Sequence, residues 1–140
     1  MPLLNGNKIS STNQLLEFHN TFSSVARDLM KRKNADYTDS CKEGNPFLNF
    51  TRCESMGVCS VEQGFLVRLT DKMSRLSTFC NGNKFEVVDE SIMDTILDAS
   101  NYLILLAGYI TSQATTTENH NKGVSEWPPS QSLPIETLDK

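Results

Sequence analysis

Glu90-Ser-Ile-Met-Asp94-Thr-Ile-Leu-Asp98-Ala-Ser-Asn101-Tyr102 sets three carboxylates at every fourth position of an otherwise apolar segment. At about 100° per residue, a step of four drifts by only about 40°, so a helix stacks all three on one side. Like charges so placed repel, by a few tenths of a kcal/mol per pair on an exposed helix and by more where water is scarce. Something cationic is therefore expected opposite them: a divalent metal, a basic residue of another helix, or plain solvent.

The same segment specifies its own helix. Ile92, Ile96, Ala99, Leu103 and Leu106 form a core stripe roughly opposite the acids, while Met93, Leu97, Ile104 and Leu105 fill the flanks. A helix apolar nearly all round is covered on several sides, and carboxylates on it need partners. Asp89 is the expected cap, Glu90 falls in the first turn, and the pattern runs to about Gln113. Upstream, Ser60-x-x-Gln63 has capping-box spacing and opens a helix with Phe65, Leu66, Leu69, Met73 and Leu76 on one stripe, ending at Asn81-Gly-Asn83. Ser11-x-x-Gln14 opens another, with Leu15, Phe18, Phe22, Val25 and Leu29, ending near Lys33. The turn-forming run Asn34 to Pro46 follows, then a short helix from Phe47 to Met56 stopped by Gly57. The expected class is all-α: a helical domain over 1–113 with three long helices and one short helix in the first connection. Residues 114–140 are poor in apolar side chains and read as a flexible tail, with Trp127 its one sticky residue.

The chain has 140 residues, enough for one domain with a core, and a formal net charge of −4. That charge offers no general attraction to a nucleic-acid polymer. Cys41, Cys53, Cys59 and Cys80 show no C-x-x-C pairing and lie far from His19 and His120, so zinc spacing is missing. No secretory signal opens the chain, and the longest apolar run, Tyr102 to Ile110, is about half a bilayer span, so a cytoplasmic, non-membrane protein with reduced thiols is expected.

Arg68, Asp71, Lys72 and Arg75 recur at i, i+3, i+4 and i+7 on the helix that starts at Ser60. On a lone helix this is a solvated, salt-bridged face worth little. Turned towards Glu90, Asp94 and Asp98, it makes a pocket of carboxylates and cations suited to a Mg²⁺-bound phosphate chain. Asp36, Tyr37, Asn49 and Phe50 could close over it, with an aromatic face for a base and an amide for its edge. In the blander reading they are turn and core residues.

Lys33-Asn-Ala-Asp36-Tyr37, Asn45-Pro-Phe-Leu-Asn49-Phe50, Arg68-Leu-Thr-Asp71-Lys72-Met-Ser-Arg75-Leu and Glu90 to Tyr102, in this order, resemble the nucleotide modification associated domain family, type one. That family is found largely in phages and bacteria. It is similar to the all-α nucleoside triphosphate pyrophosphohydrolases, the MazG-like and dimeric dUTPase proteins. The resemblance spans about residues 15 to 110. It implies a helical bundle, usually oligomeric, that binds a nucleotide through Mg²⁺ held by acidic helices; a homodimer or homotetramer is expected in any case, because Tyr102 to Ile110 presents apolar side chains on every face. By that likeness Asp71, Glu90, Asp94 and Asp98 hold metal, Asp71, Glu90 and Asp94 are catalytic, and Arg68, Lys72, Arg75, Asn101 and Tyr102 contact ligand. The chain departs from the MazG-like pattern in lacking E-x-x-E on one helix and E-x-x-D on the next. Two functions follow as expectations. One is nucleotide binding with Mg²⁺-dependent phosphoanhydride cleavage. The other, favoured by the missing motif, is a non-catalytic phage protein that sequesters a cyclic-nucleotide or NAD-derived immune signal in a bacterial host cell. A helical interaction protein with merely solvated polar stripes is the third reading.

Overall fold

A computed structural model of the chain describes residues 8–37, 44–82 and 91–114. Its elements are α1 (Thr12–Tyr37), α2 (Leu48–Ser55), α3 (Val61–Cys80) and α4 (Ile92–Ala114), and no strand occurs among the described residues. The class is all-α, with three long helices and a short one between the first two. None of these helices is long and apolar enough to cross a membrane. Two compact units divide within α4, between Leu106 and Ala107. Residues 115–140, read as a flexible tail, lie outside the described residues, as do Cys41 and the Asp89–Glu90 pair.

Capping chemistry sets the helix starts. Ser60 Oγ accepts the Gln63 N–H at 3.2 Å while Gln63 Oε1 accepts the Ser60 N–H at 3.0 Å, the reciprocal box that its spacing predicts. At α1, Ser11 Oγ accepts the Gln14 N–H at 3.3 Å, but the Gln14 side chain reaches one residue further back, to Ser10. At the start of α4, Ser91 Oγ accepts the Asp94 N–H at 3.2 Å, and Asp94 Oδ2 accepts the Ser91 N–H at 3.0 Å; the expected cap, Asp89, lies outside the described residues. α1 also runs four residues past Lys33, because the helix penalty of Asn34 and Asp36 is only a few tenths of a kcal/mol each and tertiary contacts outweigh it.

Among the described residues of the first unit, the buried apolar ones are few: Ala26, Phe50, Val61, Phe65 and Leu97. Phe50 stacks on Phe65 with centroids 3.7 Å apart, and this pair fastens α2 to α3. Gly64 permits the approach, since a Cβ at that position would lie 3.2 Å from Phe50 Cδ1. The core stripe expected on α4 is corrected here. Its fully or nearly buried side chains are Thr95, Leu97, Asp98 and Asn101, whereas Leu103, assigned to the core, is 55% exposed. Leu66 and Met73 of the α3 stripe are likewise exposed, at 57% and 59%. α4 turns its polar side inward because that side meets cations and a backbone carbonyl on its neighbours.

Gly64→Val puts a Cβ and two further methyl groups against the Phe50 ring, which has to give up part of its stack on Phe65 to make space. Chemical denaturation is expected to show a loss of about 1–3 kcal/mol.

Candidate functional site

Three helices meet at Asp98. Lys33 of α1 donates from Nζ to Asp98 Oδ1, and Lys72 of α3 lies with its Nζ 3.1 Å from Oδ2. The Asp98 and Lys72 side chains are largely buried, whereas that of Lys33 is 47% exposed. One turn towards the start of α4, Arg75 Nε donates to Thr95 Oγ1 at 3.2 Å. The basic stripe of α3 therefore does face the acidic helix through Lys72 and Arg75. One turn past Asp98, Asn101 Nδ2 donates to the Ala26 carbonyl of α1 at 2.9 Å, a reach that the small Ala26 side chain allows.

Beside this junction lies a cavity of about 510 Å³. It opens between the end of α1, the start of α2, the first turns of α3 and the middle of α4. Of the residues singled out from sequence, Asn49, Phe50, Arg68, Asp98, Asn101 and Tyr102 line it. Tyr102 meets the Phe50 ring edge-on, with centroids 6.3 Å apart and planes at 87°. Arg68 is exposed at the rim and has no ion-pair partner among the described residues. The wall is mostly apolar, with two cations, one carboxylate and several amides set into it, the usual make-up of a small-molecule site.

Other expected members stand apart. Asp36 and Asp71 are exposed and do not line the cavity. Asp94 is exposed and engaged with Ser91 in the helix cap. Glu90 and the side chain of Tyr37 lie outside the described residues.

Lys33 and Asn34 were missed as wall residues because the helix was expected to end there. Once α1 runs to Tyr37, Ala26, Met30, Lys33 and Asn34 fall at helical spacing on the face turned to α4, and that spacing was the available signal. Gly64, Val67 and Arg68 form the matching set on α3.

The donor set fits Mg²⁺ poorly. Among the described residues no three carboxylate, histidine or cysteine side chains converge, and both oxygens of Asp98 are held by ammonium groups. A divalent ion on Asp98 would have to displace at least one of them. No family model, curated protein or solved structure matches the chain.

Asp98 and Asp94 should respond differently to the same change. Asp98→Asn removes the charge that two lysines share in a largely buried place, and a loss of about 3–5 kcal/mol is expected in denaturant titration. Asp94→Asn weakens an exposed cap, with a loss under about 1 kcal/mol at neutral pH. The Ser91 hydroxyl and backbone N–H hold the Asp94 carboxyl below the ordinary carboxylate range. A depressed carboxyl contributes stability above the unfolded-state value near pH 4 and loses it as pH falls through the folded value. The gap between wild type and Asp94→Asn should therefore shrink on acidification below about pH 4.

Proposed function

We propose that the cavity binds a nucleotide or nucleotide-derived phosphorylated ligand and holds it intact. The observation that carries this reading is the composition of one wall. The edge-on Phe50–Tyr102 pair, the Asn49 and Asn101 amides, and the Lys33 and Arg68 cations border a single space of about 510 Å³. Aromatic edges receive a base, amides read its polar rim, and cations neutralise phosphate. The four-segment resemblance to nucleotide modification associated domain proteins supports the same class of ligand. Sequestration rather than Mg²⁺-dependent hydrolysis is supported by the two lysines on Asp98, which take up the carboxylate that a metal would need. On this reading the chain acts as a sponge for a nucleotide-derived signal, such as a cyclic oligonucleotide or an NAD-derived messenger.

The test is incubation with a panel of nucleoside mono- and triphosphates, cyclic oligonucleotides and NAD-derived messengers, with and without Mg²⁺, analysed before and after heat denaturation. Intact ligand released on heating is the expected result, in both conditions. Mg²⁺-dependent product would establish the hydrolytic alternative, and no depletion of any panel member would sink the reading. Arg68→Ala should weaken binding of the retained compound by about 10- to 100-fold, measured by calorimetry. Its melting temperature should stay within a degree or two, because an exposed side chain without an ion pair contributes little to stability.

The functional form is a homo-oligomer of this chain. Among the described residues, ten large apolar side chains are at least half exposed, against five apolar residues in the core. Several of them, Leu66 and Met73 on α3 and Leu103 on α4, lie on stripes with core periodicity. A second copy is the simplest cover for stripes of that kind. Light scattering at tens of micromolar should give at least a dimer mass, and a monomer mass would refute this.

A further inference from the structure

The charges at the cavity do not cancel. Lys33, Arg68 and Asp98 line it, and Lys72 reaches Asp98 from α3. Among the described residues no other carboxylate, lysine or arginine borders the space. Three cations therefore stand against one carboxylate, and two positive charges are left over. Both are within reach of a ligand in contact with water: Arg68 is exposed at the rim without an ion pair among the described residues, and the Lys33 side chain is half exposed.

That surplus restricts how much negative charge a ligand can bring. Coulomb attraction acts over several ångströms, so the balance does not depend on which atom of each side chain meets the ligand. The rest of the wall is largely apolar, with Met30, Leu48, Val58, Val67 and Leu105 among its members. Each negative charge beyond the second loses hydration against that wall and finds no cation in return. Nor can Mg²⁺ readily cover the excess, since both oxygens of Asp98 are already held by ammonium groups. A phosphate monoester carries about two negative charges at neutral pH, and two bridging phosphates carry about the same, whereas a metal-free triphosphate carries about twice as many.

We propose that the pocket selects a nucleotide by its total charge. It takes ligands with two negative charges, as one phosphate monoester or as two singly charged phosphates, and gives no advantage to a triphosphate. The inference rests on the nucleotide reading above and adds the phosphate count to it.

The experiment uses the full chain in EDTA at constant ionic strength, with affinity read by calorimetry. Its probes are the four ribonucleosides with their 5′-monophosphates and 5′-triphosphates, together with ADP-ribose, cyclic di-AMP, cyclic di-GMP and cyclic tri-AMP. The tightest binder should carry two negative charges, and the uncharged nucleoside of the same base should bind at least about 10-fold more weakly. A monophosphate in first place assigns the charge to one monoester, and ADP-ribose or a cyclic dinucleotide assigns it to two bridging phosphates. Val67 lines the cavity next to Arg68 and is 66% exposed, so Val67→Lys adds a third cation without touching the core. That change should improve the triphosphate of the same base by about 3-fold or more relative to the two-charge ligand. A triphosphate or cyclic tri-AMP as the tightest binder of the wild type overturns the proposal and leaves the nucleotide reading in place. So does a nucleoside that matches its charged forms, or a Val67→Lys protein whose preference stays that of the wild type. If no probe binds the inference fails, and the nucleotide reading fails with it when the wider panel also yields nothing. Should Val67→Lys not fold, the wild-type series decides alone.

Discussion

A carboxylate that is 9% exposed in the middle of a helix is the constraint around which the rest of this fold is arranged. Removing Asp98 from water costs several kcal/mol unless cations replace the lost hydration, and a single distant charge does not suffice. The chain answers with two lysines from two different helices, Lys33 on α1 and Lys72 on α3. Each ammonium has to sit within a few ångströms of one oxygen, so the pairing fixes the rotation of all three helices about their axes. The Asn101 bond to the Ala26 carbonyl, one turn along, fixes how close α1 and α4 come. The cavity is the space these polar contacts leave beside them, with Phe50 closing its α2 side.

The local rules were legible in the sequence where one residue decides one feature. Ser60 and Gln63 form their box, Gly57 adopts a positive φ of 71° just past α2, and Gly82 one of 72° just past α3, each where a turn signal stood. Those choices depend on neighbours within four residues, so a sequence exposes them. The sidedness of α4 depends on which of two competing stripes faces inward. Hydrophobic periodicity favours Ile92, Ile96, Ala99 and Leu103, and ion pairing favours Asp98 with Asn101. The second prevails in this chain because an unpaired buried carboxylate costs more than an exposed leucine, whose burial is worth about 1.5–3 kcal/mol.

The site was legible in part for the same reason. Arg68, Lys72, Arg75, Asp98, Asn101 and Tyr102 gather because two helical stripes at regular spacing face each other, and spacing can be read. Asp94 follows the same spacing yet leaves the group, since a carboxylate three residues after a serine at a helix start has a nearer use in capping. Asn34 enters the wall only through α1's extra turn, which no local signal marked. Helix ends are where sequence patterns are weakest, because the penalty for one more turn is comparable with one good tertiary contact.

The lysine-clasped carboxylate also bears on what the proposed ligand would meet. An acidic cluster held together by Mg²⁺ stores negative charge for a metal, and a phosphate enters it only with the ion. Here the carboxylate at the junction is already neutralised, so Lys33 and Arg68 leave the cavity mouth with positive character that a phosphate can use directly. Lys33 is the half-exposed member of its pair, and an ammonium in contact with water can be shared between Asp98 and an incoming anion at little cost, whereas Lys72 lies deeper and continues to balance the carboxylate. The proposed retention of an intact ligand rests on the same arrangement, in which charge is complemented in the ground state.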